Sequence, residues 1–226
     1  MRFFLETLLK SIPLLLPLIA IIYAGQYVIV ATITYVIIFF IVEWFLIYRP
    51  SKKFEDRRRD ILDAYFKPWV DEAEVDGQKP AIRINVMMAK KWFTGKHLFQ
   101  FYGYNMKGYP DADLHFSAKA GVSGWCLTQQ DHRPKFEELG DMSPEEAKER
   151  FQFNEELYKR TKHIKAMVCR PLVRTRKRWL GYGEKQDFFG VLNIDAVDYV
   201  GVNFLQNDET LEDIYNFGIF IQRVFE

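Results

Sequence analysis

Met167-Val168-Cys169-Arg170-Pro171-Leu172-Val173 and Phe189-Gly190-Val191-Leu192-Asn193-Ile194-Asp195 are the two phrases whose reading decides the fold. Both are short, apolar and rich in β-branched residues, and they read as strands over Met167–Arg174 and Phe188–Asp195. A basic hairpin containing Gly181 and Gly183 links them. Alternation puts Arg170 and Arg174 on one sheet face. Pro171 has no N–H for a ladder, so it implies an edge or a bulge. Gly190 lets its strand pass closely under a neighbour or a ligand.

Upstream, Ala81 to Met88 alternates, with Ile82, Ile84, Val86 and Met88 set against Arg83, Asn85 and Met87. Leu98 to Tyr104 reads as the next strand, joined through a turn at Thr94-Gly95-Lys96. Gly121 to Gln129 opens with glycine and continues as a short helix. Ser143-Pro144-Glu145-Glu146 supplies an N-cap, a proline at the first helical position and an acidic third residue, so a helix is expected from there to about Lys162. Asn207 or Asp208 caps a last helix with Leu211, Ile214, Ile221 and Phe225 on its apolar face. Strands interrupted by helices of unequal length predict an α+β fold with a mostly antiparallel sheet.

The N-terminal fifty residues follow another logic. Ser11 to Val42 is a run of 32 residues without a charged side chain. As one helix it would be about 48 Å long, against a hydrocarbon core of about 30 Å. Two spans fit better, from Phe3 to Ala24 and from Tyr27 to Tyr48, with Gly25-Gln26 as the turn. Glu6 and Lys10 stand four apart on one face, and Trp44 and Tyr48 suit an interfacial aromatic belt. Arg49, Lys52, Lys53, Arg57, Arg58 and Arg59 crowd the exit of the second span while the turn carries no charge, which orients both ends to the cytoplasm. A cleaved signal peptide is excluded by the length and by the basic cluster that follows. The expected division is a transmembrane hairpin over 1–50, a charged linker helix over 51–75 and one domain over 76–226. In the linker Phe54, Ile61, Leu62 and Tyr65 recur at helical spacing, and Pro68 is expected to end or kink it.

Net charge is +1, which excludes a global field for nucleic acid or acidic substrates. Charge is unevenly placed, with nine Lys or Arg and no acid from Leu157 to Gly183, then nine acids against two bases from Glu184 to Glu226. The basic hairpin therefore suits phosphate or anionic headgroups, or is simply a solvated turn. Cys126 and Cys169 are too few for a disulfide framework and too far apart for a CxxC metal site, and read as core thiols in a reducing compartment. The four histidines lack metal-ligand spacing, and no P-loop, GxSxG or HExxH occurs.

The chain resembles a GAF domain from about Ile61 to Phe225. The resemblance is carried by Ala120-Gly121-Val122-Ser123-Gly124-Trp125, by the two phrases quoted first, and by Phe204 followed by Asp208-Glu209 ahead of the last helix. It implies about six antiparallel strands, terminal helices on one face, and a small-molecule pocket on the other under loops and short helices. Members bind cyclic nucleotides, tetrapyrroles or other small molecules, and many dimerise. The candidate ligand-binding residues are Trp125, Cys169, Arg170, Asn193 and Asp195. The Asn-Lys pair of phosphodiesterase GAF domains is replaced here by Ala196-Val197, and neither cysteine lies in a bilin attachment motif.

Gly190-Val191-Leu192-Asn193-Ile194-Asp195 is also similar to a phrase of free methionine sulfoxide reductase, an enzymatic GAF. That family's cysteine falls at Ser123 here, with Cys126 three residues on. The expectation is therefore a non-enzymatic sensor, multi-pass in a bacterial inner membrane, with its domain and both termini cytoplasmic. Expected partners are membrane lipid, a second copy of the chain, a small-molecule or nucleotide ligand and a separate output protein, with no specific nucleic acid; the cofactor is left open. With no output module expected after the last helix, signalling falls to the hairpin, dimerisation or that partner, an architecture suited to bacterial nucleotide signalling or antiviral defence. The alternatives are a ligand-free membrane-tethered scaffold and the reductase.

Overall fold

The computed structural model describes residues 27–92, 95–129, 131–177 and 184–225. The chain divides into two compact units between Arg57 and Arg58. In the first, the described residues belong to a helix, α1, that spans Tyr27–Glu72 and continues into the second. Side chains described there include Ile33, Ile37, Ile38, Ile41 and Val42, all apolar and exposed. Phe3 to Ala24 and the Gly25-Gln26 turn of the expected hairpin lie outside the described residues, and among the described residues no helix is long and apolar enough to cross a membrane.

The second unit is built on six antiparallel strands: β1 (Ile82–Trp92), β2 (Gly95–Tyr104), β3 (His115–Ser117), β4 (Lys135–Glu138), β5 (Ala166–Lys177) and β6 (Glu184–Ala196). Their order in the sheet is β3-β2-β1-β6-β5-β4. Between them run α2 (Gly121–Thr128), α3 (Pro144–Phe151) and α4 (Glu155–Thr161), and α5 (Tyr199–Gln206) and α6 (Asp208–Phe225) follow β6. This is an α+β sheet-and-helix arrangement compatible with a GAF-like fold.

Alternation sorts the sheet into two buried faces. Ile82, Ile84 and Val86 of β1, Val168 and Leu172 of β5, and Leu192 and Ile194 of β6 meet Leu62 and Phe66 of α1 and Ile214, Phe217 and Ile221 of α6. Phe66 and Phe217 pack edge to face at 5.3 Å. Met87, Leu98, Met167, Cys169 and Val191 face the other way, against Val122 and Cys126 of α2, Ala147 and Phe151 of α3, and Leu157 of α4.

Pro68 does not end α1, which runs on to Glu72. The lost backbone bond, worth about 3 kcal/mol in a helix interior, is offset by packing. Trp69 and Val70 lie against the core, and Trp69 Nε1 donates to Asp213 Oδ2 at 3.0 Å. The single helix expected from Pro144 to about Lys162 is two. Gln152 closes α3 in the left-handed region at φ 54°, and Asn154 starts α4 by accepting from the Leu157 N–H at 2.7 Å. The helix α5 was not expected; Asp198 caps it, accepting from the Gly201 N–H at 2.7 Å.

Pro171 sits where β5 is a local edge. Strand β4 pairs only with Ala166–Cys169, and the β5–β6 register shifts just beyond, between Leu172 and Val173. Gly190 answers a close approach by the neighbouring strand, since a Cβ there would lie 2.4 Å from the Met87 carbonyl oxygen.

Candidate ligand site

On the face away from α1 and α6, β1 and β6 set polar residues on adjacent rungs: Arg83 opposite Asp195, and Asn85 opposite Asn193. All four are buried, Arg83 and Asp195 to 1% exposure. Three of them, Asn85, Asn193 and Asp195, line the floor of a small, partly open cavity of about 40 Å³, which Arg83 does not line. Its roof is Gly121–Ser123 at the start of α2, Leu157 and Thr161 of α4, and Asp111 and Leu114 from the loop after β2. Helix α2 starts without a side-chain cap, because its N-cap residue is Ala120.

Arg83 organises the charges. Its Nη1 donates to Asp111 Oδ1 at 2.9 Å and its Nη2 to Asp111 Oδ2 at 3.0 Å, a bidentate pair. The same Nη2 donates to Asp195 Oδ2 at 2.8 Å. The Tyr109 ring lies against the guanidinium at 4.4 Å, and His163 stacks on Tyr109. Burial works against the Arg83 charge, but Asp195 and Asp111 outweigh it and hold the group more firmly protonated than a free arginine. One guanidinium thus serves two carboxylates, and they do not share it equally. Burial, reinforced by Asp111, drives Asp195 toward its protonated form against the pull of Arg83, to a pKa of about 6. His163 is pushed down by burial and by Arg83, so its Nε2, 2.9 Å from Arg83 Nη1, is the acceptor of a neutral imidazole.

Two oxygens on the cavity wall have no partner among the described residues: Asp195 Oδ1 and Asn85 Oδ1. Beside them, the Ser123 hydroxyl donates to Asn193 Oδ1 at 3.2 Å. Buried acceptors left unpaired are uncommon in folded proteins and costly, about 1–3 kcal/mol each.

Of the candidates read from the sequence, Asn193 and Asp195 come together on this wall. Cys169 lies on the same face but is sealed beneath α2, its Sγ 3.9 Å from the Val122 carbonyl. Burial, with Cys126 adjoining, pushes its thiol well up, and both cysteines are free and fully buried. Trp125 is half-buried, packed edge to face on Phe151 at 5.6 Å, and does not line the cavity. Arg170 is on the wrong face. It shares the even-numbered parity of Val168 and Leu172, so it points at α6, where its guanidinium lies over the Tyr215 ring at 4.7 Å. A Cβ on Gly218 would fall 1.3 Å from Arg170 Nη1, so a larger residue there would force the guanidinium out of this position. Arg83, Asn85, Asp111 and His163 were missed. The polar alternation of Arg83 and Asn85 was visible in β1, whereas Asp111 and His163 arrive from a loop and a helix end.

Among the described residues no cluster of His, Cys, Asp and Glu is suited to a metal ion. The fold and site define an α+β domain with a small, mostly apolar cavity between sheet and short helices, carrying acidic and amide groups on one wall. Against protein-family models and curated protein sequences, the chain matches none.

Proposed function

We propose that this protein is a membrane-anchored, GAF-like small-molecule sensor whose ligand site is the small cavity between β1, β6, α2 and α4. The observation that carries this reading is the pair of unpartnered, buried acceptor oxygens on Asp195 and Asn85. A merely structural core would replace such groups by apolar ones at little cost. A cavity of about 40 Å³ holds a water-sized group, so a larger ligand requires the short roof helices to move. That movement is the signal, passed on through the membrane segment, self-association or a separate partner. Membrane anchoring rests on the uncharged run from Ser11 to Val42 and on the exposed apolar side chains of α1 between Ile33 and Val42.

The test is thermal melting of the full chain in lipid nanodiscs against a panel of metabolites, nucleotides and cyclic oligonucleotides. A compound present at 100 times its Kd adds about 2.7 kcal/mol of stability. Silence across the panel favours a ligand-free scaffold. Anchoring is tested apart from this: the full chain is expected to stay with membranes through alkaline carbonate extraction, and its release into the supernatant contradicts insertion.

A further inference from the structure

The cavity is lined mostly by apolar side chains, and its acidic and amide groups are gathered on one wall where no lysine or arginine joins them. Asp195 Oδ1 and Asn85 Oδ1 lack partners although their residues are only 1% and 8% exposed. Asn193 stands directly across from Asn85 and two residues before Asp195, on the same face. Residues directly opposite in an antiparallel pair stand about 5 Å apart and diagonal ones about 7–8 Å apart, so the three side chains surround one small volume. Asp111 and Asp195 line that volume, and no Lys or Arg does. Arg83 is shared by both carboxylates and His163 is neutral, so ionised Asp195 leaves one negative charge unbalanced. The uncapped start of α2 supplies about half a positive charge at most, which does not reverse the sign. An ammonium group is about the size of water and carries three N–H donors and no acceptor.

We propose that the ligand presents a compact ammonium head, seated on Asp195, Asn85 and Asn193, and that a phosphate or other anionic head is not taken at this position. This rests on the sensor reading above and gives the chemistry of the same site.

The experiment uses the full chain in phosphatidylcholine nanodiscs, melted by the fluorescence of its five tryptophans. The probes are methylamine and ethanolamine hydrochlorides on one side, and tetramethylammonium chloride, sodium phosphate and AMP on the other, at matched ionic strength. The two primary amines are expected to raise Tm saturably and the other three to leave it unchanged. Asn85→Leu keeps the branching and the number of side-chain heavy atoms but removes the amide, so amine affinity should fall at least tenfold. Asp195→Asn should lose the shift as well. Equal amine shifts in wild type and Asn85→Leu overturn the seat. Shifts from phosphate or AMP with silent amines overturn the ammonium reading and leave the sensor standing. Silence from these probes and from the metabolite panel overturns both.

Discussion

Two buried arginines make opposite contributions. Arg83 holds two carboxylates, so Arg83→Met leaves Asp111 and Asp195 uncompensated in the interior and should cost about 3–5 kcal/mol. Arg170 has Nε and Nη1 unpartnered, and no carboxylate among the described residues pairs with it. Burial lowers its pKa, the sign of a charge that would rather be elsewhere. Arg170→Met should therefore be neutral or stabilising, the lost ring contact being worth about 0.5–1 kcal/mol. The urea midpoint is expected to fall for Arg83→Met and to stay or rise for Arg170→Met, and a large loss for Arg170→Met contradicts this reading. Asp195 makes the domain's stability depend on pH. Its folded pKa of about 6 lies above the ordinary value of 3.8, so the folded state holds the proton more tightly. The stabilisation is full below the unfolded value and is lost as pH rises through about 6. The groups that face it are Arg83 and Asp111, with His163 adjoining through them. Asp195→Asn is expected to gain stability relative to wild type between pH 4 and pH 6.5, read from melts in matched buffers; parallel profiles contradict it. At this scale the sequence was half legible. Asn193 and Asp195 came from the GAF resemblance, whereas alternation along β5 already sets Cys169 and Arg170 on opposite faces, so the two could not line one cavity. Asp111 and His163 meet Arg83 across 28 and 80 residues of chain, separations that no local pattern encodes.

At the scale of elements, the strands were readable because two-residue alternation survives burial of both faces. β1, β2, β5 and β6 were recognised, with β1 and β5 ended too early and β2 and β6 begun too late. β3 and β4, three and four residues long, carry too little periodicity to be seen. The split between α3 and α4 turns on Gln152 adopting a left-handed conformation, which glutamine does not advertise, although Asn154 was an available cap signal. Pro68 misled because propensity speaks only for the local backbone, while Trp69 and Val70 pack it from outside. Gly190 was read correctly as a point of close approach, and it offers a direct trial of the sheet. Gly190→Ala brings a methyl group against the Met87 carbonyl, so β1 and β6 must shift apart. A loss of roughly 1–3 kcal/mol in urea unfolding is expected, and an unchanged midpoint would show that the strands are not in this register.

For the molecule as a whole, a cavity of this size with polar groups on one wall is either a fixed piece of core or a site that opens further to a ligand. The roof distinguishes the two, since its helices α2 and α4 have only eight and seven residues. Helices this short owe their stability to packing and are drawn from the low end of a protein's local stability range. The long strands β1, β5 and β6 are each held by antiparallel pairing and belong to the high end. Amide hydrogen exchange on the full chain in nanodiscs, followed by mass spectrometry, compares the two directly. Residues 105–128 and 152–164 are expected to exchange at least tenfold faster than β1, β5 and β6, a gap of about 1.4 kcal/mol or more in opening free energy. Roof and sheet exchanging together, at the rate of global unfolding, would contradict the claim that this cavity opens to a ligand.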